Sequence, residues 1–186
     1  MELSATARVI LGMLGFWPMS GYEIKSLVDN STRFFWAASY GQIYPELRRL
    51  AEAGLIEGEA QAQGSRKRTV YSLTEAGRAA LAHWHAGKAE IQEMRDETML
   101  KIFFADAVGE GATESALEAK RDHHHAVAAE LRELRAMKEE AGIAPNSAMR
   151  TLRLGIDWND WVAGWCEREL AEVRGERPRR RPRKAA

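Results

Sequence analysis

The chain has a single cysteine, Cys166, which excludes an internal disulfide and a cysteine-rich zinc site and fits a reducing compartment. No apolar run reaches the roughly eighteen residues that a membrane-spanning helix needs. The start, MELSATARVILGMLGFW, lacks the basic region and small-residue cleavage site of a secretory leader, so a cytoplasmic protein without a membrane partner is expected. There is no nucleophile elbow, no phosphate-cradling glycine loop and no histidine–carboxylate metal spacing, so neither enzyme activity nor a cofactor is expected. His123, His124 and His125 do not make a metal site, because consecutive helical residues diverge by roughly 100° and cannot converge on one ion. His83 and His85 share that problem.

Net charge is missing too: 27 basic residues meet 27 acidic ones. The balance hides two poles. Residues 81–173 carry a large acidic excess, offset almost wholly by the tail RGERPRRRPRKAA. Residues 175–186 read as a disordered arm, with prolines opposing helix formation. Such an arm adds phosphate affinity without sequence preference, and deleting it is expected to flatten the salt dependence of that binding.

What the chain does have is helical periodicity broken once by strands. Leu3, Ala7, Ile10 and Leu14 recur at helical steps across Ser4 to Gly15, and Pro18 ends that segment. Ser20 followed by Glu23 forms the reciprocal cap of a second helix, with Ile24, Leu27 and Val28 as its buried stripe. Ser39 and Gln42 repeat the arrangement and open a third helix with Ile43, Leu47, Leu50 and Ala51 inward. Its start also holds Gly41 and Pro45, both poor helix residues. Gly54 caps its end, with Leu55 folding back. LIEGEA and KRTVYSL then read as strands of a hairpin joined by the polar loop QAQGSR.

From Thr74 onward every segment reads helical. EIQEMRDETMLKIFFAD has Ile91, Met94, Thr98 and Ile102 on one face. A long helix from about Thr113 to Ala141 places Leu117, His124, Val127, Leu131 and Leu134 in heptad-like spacing. The last helix, begun by Pro145, carries two apolar stripes: Leu154, Trp158, Trp161 and Trp165 on one side, Leu152, Ile156, Ala163 and Leu170 roughly opposite. Two stripes imply burial from both sides; a twofold homodimer is the expected second cover, with the amino-terminal domain folded back over that face as the alternative. The heptad residues and the three tryptophans are therefore the expected dimerisation set. A cavity for a planar effector is the lesser reading of the tryptophans, since helical stripes of aromatics are more often core, and His124 at a heptad core position suits a pH-sensitive interface.

Three helices followed by a hairpin with a basic tip is the order of a winged helix. The segments SGYEIKSLV, GQIYPELRRLAEAGLI, TVYSLTEAGRAAL and RDETMLKIFF resemble the PadR family of bacterial transcriptional regulators. The helical second half is similar to the branch of that family with a virulence-regulator-like dimerising domain. The resemblance implies a mainly α fold with a small β-hairpin wing. It divides into a winged helix-turn-helix domain over residues 1–86, a C-terminal helical dimerisation domain over 87–174 and the tail over 175–186. It also implies a homodimeric repressor that binds double-stranded DNA at a pseudo-palindromic operator and is released by a small-molecule effector.

Carried over by position, Ser39, Tyr40, Gln42 and Tyr44 face the major groove, Tyr22 lies on phosphate, and Arg66, Lys67 and Arg68 add backbone or minor-groove contacts from the wing. The chemistry is suitable: glutamine pairs bidentately with adenine, tyrosine hydroxyls donate to phosphate, and arginine binds phosphate or guanine. Arg48 and Arg49 sit near glutamates and read equally as a solvated face. A winged helix serving protein interaction, and a ligand-binding helical dimer without DNA binding, are the competing functions.

Overall fold

The computed structural model describes residues 2–63, 66–89 and 95–175. Helix α1 (Ala5–Leu14) begins where the Ser4 hydroxyl accepts the Ala7 amide hydrogen at 3.0 Å. Strand β1 is only Met19–Ser20, and Ser20 at once caps α2 (Gly21–Asp29): the Glu23 carboxylate accepts from the Ser20 amide at 2.8 Å while the Ser20 hydroxyl accepts from the Glu23 amide. A 3₁₀ turn at Thr32–Phe34 leads to α3 (Tyr40–Glu52). Gly54 then takes a φ of 69°. The Leu55 amide returns to the Leu50 carbonyl and the Gly54 amide to the Ala51 carbonyl, the paired bonds of a Schellman ending.

Strands β2 (Ile56–Gln63) and β3 (Arg66–Leu73) follow, in the antiparallel order β1-β3-β2. Their ladder continues to Gln63 opposite Arg66, so most of the expected QAQGSR loop is strand. Polar composition misled there, because a wing that projects from its domain has no apolar face to reveal it. β1 was equally invisible, since two residues show no alternation. Helix α4 (Glu75–Ala86) is capped by Thr74. It sits so close to the Leu55 carbonyl oxygen that a methyl at Gly77 would stand 2.0 Å from it. Ala7, Ile10, Leu11, Ile24, Val28, Ile43, Leu47, Leu50 and Ile56 are among the residues of one buried cluster made by these elements.

The second compact unit begins at residue 92. The single helix expected across residues 90–106 is not what forms. Ile91 and Met94 lie outside the described residues, whereas Asp96 is extended and caps a new helix, α5 (Glu97–Phe103), by accepting the Met99 amide hydrogen. A carboxylate that bonds amides two or three residues on favours a helix start over its continuation. Helix α6 (Ala105–Val108) is one turn.

Helices α7 (Ala112–Glu140) and α8 (Ser147–Val173) form the body of this unit. Contacts run from Leu131 with Gly155, through His125 with Glu167, to Glu118 with Arg174, the reversed order of an antiparallel hairpin. Leu117, Val162, Cys166 and Leu170 make its buried cluster, with Ile102 and Trp165 packed against it. Lys120, almost wholly buried, donates to the Asp96 carboxylate and so ties α5 to α7. Among the described residues no helix is long and apolar enough to cross a membrane.

Candidate nucleic-acid interface

The third helix starts as its caps dictate. The Gln42 side-chain oxygen accepts from the Ser39 amide at 2.9 Å and from the Ser39 hydroxyl at 3.1 Å. Ser39, Tyr40, Gln42 and Tyr44 are all exposed, while Ile43 and Leu47 of the same turns are fully buried. Tyr40 and Tyr44 stack one turn apart, ring centroids 6.2 Å. The Lys25 ammonium of α2 lies 5.3 Å from the Tyr40 ring centre and also pairs with Asp29.

Gly21 brings α2 and α3 together. A methyl there would be 2.8 Å from the Tyr44 ring, so only hydrogen fits without displacing it. The next residue, Tyr22, has 66% of its surface exposed. The first turns of two helices thus gather Tyr22, Tyr40 and Tyr44 with Ser39 and Gln42. Hydroxyl and amide donors beside two helix N-termini suit an anion.

The basic residues divide. Arg49 donates to Glu46 at 2.6 and 2.9 Å, and Glu46 also accepts from the Ser4 hydroxyl, so Arg49 braces α3 against the start of α1. The Arg49 bonds hold the Glu46 carboxyl below its ordinary range despite burial. Arg48 remains exposed. Arg68 pairs with Glu23, whose carboxyl is lowered first by the Ser20 amide, against some burial, and further by Arg68. The side chains of Arg66 and Lys67 lie outside the described residues, as do residues 176–186 of the basic tail.

On α8 the expected stripes are both present, with different fates. Leu152, Ile156, Ala163 and Leu170 are buried, whereas Leu154, Trp158 and Trp161 are 67%, 51% and 59% exposed. Trp158 and Trp161 stack at 5.7 Å. Trp165 parts from them and packs on the internal cluster, so the three tryptophans do not line one cavity.

The heptad expectation needs correction. Leu117, Leu131 and Leu134 are buried within one protomer, Val127 is half-buried, and His124 reaches Asn159 of α8 at 2.6 Å. Leu117, Leu131 and Leu134 therefore belong to the chain's own α7–α8 contact, since a side chain already covered has no surface left for a second copy, whereas Val127 and His124 keep part of theirs. The adjacent histidines part as their helical angles require, His124 to Asn159 and His125 to Glu167. Sequence reasoning missed Gly21, Lys25 and the Glu23–Arg68 pair. Lys25 and Asp29 do have the four-residue spacing of a helical ion pair, a signal that was available.

Comparison with known proteins adds the family. Residues 10–83 match the model of the transcriptional regulator PadR-like family, and residues 94–174 that of the virulence activator alpha C-terminal region. The negative transcriptional regulator PadR of Bacillus subtilis is 38% identical over 97 residues, 51% of this chain and 53% of that protein. The chain matches about half the length of its curated relatives. Among solved structures, B. subtilis PadR in complex with operator DNA has a TM-score of 0.83 at 26% identity, covering 93% of this chain and 99% of that one. The same protein in complex with p-coumaric acid gives 0.75 at 25% identity, covering 92% and 99%. The Vibrio cholerae virulence activator AphA gives 0.66 at 26% identity, also covering 92% and 99%.

Proposed function

We propose, for a chain that belongs to the PadR-like family of transcriptional regulators, a homodimeric repressor that reads operator DNA through the start of α3 and lets go when a small-molecule effector binds. The observation that carries this is the exposed set Ser39, Tyr40, Gln42 and Tyr44, held in register by caps and by the Gly21 contact with α2. Tyr22 supplies a phosphate contact beside them, and Arg66 and Lys67 extend the footprint from the wing.

Gln42 reads with a constraint. A carboxamide oxygen has two lone pairs, and Ser39 occupies both. Bidentate pairing with adenine needs that oxygen for the N6 hydrogen, so binding exchanges the cap for the base at a cost of about 1 kcal/mol. Dimerisation uses Leu154, Trp158 and Trp161, an apolar face exposed on the protomer, in place of the heptad seam. Twofold symmetry then calls for an imperfect palindrome whose half-sites are about one helical turn, or a multiple of it, apart. The operator complex of the Bacillus relative supports DNA as partner, and its p-coumaric acid complex supports a small-molecule effector.

The test is a gel shift of the intact protein against its own upstream region. A discrete shift at low salt, with a footprint of two related half-sites, is expected. An intact dimer that shifts nothing there and protects no duplex selected from a random pool sinks the reading.

A further inference from the structure

Strand β3 is longer than the strand that braces it. β1 offers two residues, Met19 opposite Tyr71 and Ser20 opposite Val70, and there the chain turns into α2. Beyond Val70, from Thr69 outward to the wing tip, β3 has no β1 residue opposite it and pairs with β2. Arg68 is the first residue beyond the end of β1 whose side chain shares the Val70 face, since strand side chains alternate. Its guanidinium meets the carboxylate of Glu23, in the first turn of the helix that β1 runs into. The same Glu23 oxygen, Oε2, accepts from the Ser20 amide at 2.8 Å and the Ser20 hydroxyl at 3.0 Å. One carboxylate thus closes the α2 cap and receives the wing.

We infer that Arg68 and Glu23 are positioning residues that clamp the base of the wing to the DNA-facing end of α2, and that Arg68 acts through this pair in place of a phosphate contact. The inference rests on the DNA-binding reading above and reassigns one of its residues. The pair is partly exposed, with side chains 31% and 43% accessible, so salt screens it and its contribution to folding is small. Its effect is geometric: it sets where β3 leaves the domain relative to Tyr22. It also neutralises a carboxylate one residue from Tyr22 that would otherwise repel a phosphate.

Glu23→Gln is a clean probe, because glutamine serves the capping position as glutamate does while losing the charge. In the free protein, Glu23→Gln and Arg68→Gln should speed hydrogen exchange of the Thr69–Tyr71 amides alike. On a duplex selected from a random pool, each should lose about fivefold in affinity, and the double variant should be no worse than Arg68→Gln alone. The double variant has the wild-type net charge, so its salt slope should equal the wild type's. A slope lower by about 0.9 in the double variant marks a direct phosphate contact and overturns the clamp. Unchanged exchange and affinity in Glu23→Gln also overturn it. Failure of the wild type to bind any duplex removes the DNA reading instead, and the exchange comparison still decides the clamp.

Discussion

Two exposed aromatic surfaces, one in each half of the molecule, differ in chemistry. Around the first turns of α2 and α3 lie Tyr22, Tyr40 and Tyr44, each carrying a hydroxyl. On α8 lie Trp158 and Trp161, stacked on each other beside Leu154. A tyrosine surface meets a polar, anionic partner at little desolvation cost, whereas a face of tryptophan and leucine is stabilised by losing its water. The interiors differ to match. Residues 2–89 enclose one cluster drawn from three helices and the sheet, while the α7–α8 hairpin encloses a small one. The first unit is built on the larger interior, and the second leaves a tryptophan–leucine face in solvent.

The strongest way to break this contrast is to attack the interior of the first unit. Gly77→Ala forces a methyl against the backbone oxygen of Leu55, where no side chain can swing aside. We expect a loss of about 3 kcal/mol or more, read by denaturant unfolding. Faster exchange at α4 and β2 amides, with α7 amides as the internal reference, should locate it. Wild-type stability would mean that α4 shifts away from Leu55 to admit the methyl at no cost.

Next in size is the α8 face. Trp158→Asp with Trp161→Asp should turn a dimer into a monomer in sedimentation and weaken operator binding about 100-fold, because two half-sites are no longer engaged together. Exchange at the buried α7–α8 amides should stay as in the wild type. Leu131→Ala should do the reverse, costing about 3 kcal/mol of folding through a cavity in the hairpin. If the tryptophan pair leaves the dimer intact, the exposed stripe is not the interface.

Gly41 separates reading from folding at one position. The nearest atom to an added methyl is the Ser39 hydroxyl oxygen at 3.8 Å, so the free protein has room for it. Gly41→Ala should raise stability by up to about 1 kcal/mol, as helix propensity dictates. Operator affinity should fall about tenfold, because the methyl stands where the helix start approaches DNA. Unchanged affinity would place the DNA elsewhere. Pro45 fits the same account: it has no amide hydrogen, so the Gly41 carbonyl four residues back lacks an intrahelical donor. α3 nevertheless runs unbroken from Tyr40 to Glu52.

Local rules carried much of this structure. Caps at Ser20, Ser39 and Thr74 and the Gly54 ending are set within five residues, so the sequence displays them and the structure repeats them. What escaped was long-range. β1 exists only because β3 pairs with it, and Arg68 meets Glu23 only because β1 ends where it does. The heptad spacing of Leu117, Leu131 and Leu134 marked an apolar stripe correctly but not which helix covers it, and the chain's own α8 does so. Trp165 shares a stripe with Trp158 and Trp161, yet its cluster also takes in Ile102 of α5, a neighbour no periodicity reveals.

The smallest expected effect lies inside the second unit, at His124. Asn159 donates its side-chain amide to the Gly155 carbonyl, which leaves its oxygen facing His124 Nδ1, so that nitrogen carries the hydrogen. Burial lowers the His124 pKa from its ordinary 6.5; the Asn159 bond opposes this, nearby Lys120 and His123 add to it, and Asp96 opposes it weakly. A histidine lowered in the folded state binds fewer protons there than in the unfolded chain. Its neutral form therefore costs nothing above pH 6.5, and stability falls as the pH drops below 6.5 until the folded protein is protonated as well. Thermal midpoints should decline by a few degrees across that window, and His124→Gln, which keeps a donor for Asn159, should flatten the decline. A decline of equal size in the variant would move the titration to another group. A change confined to dimer dissociation, with protomer stability constant, would put His124 at the dimer interface despite its contact with Asn159.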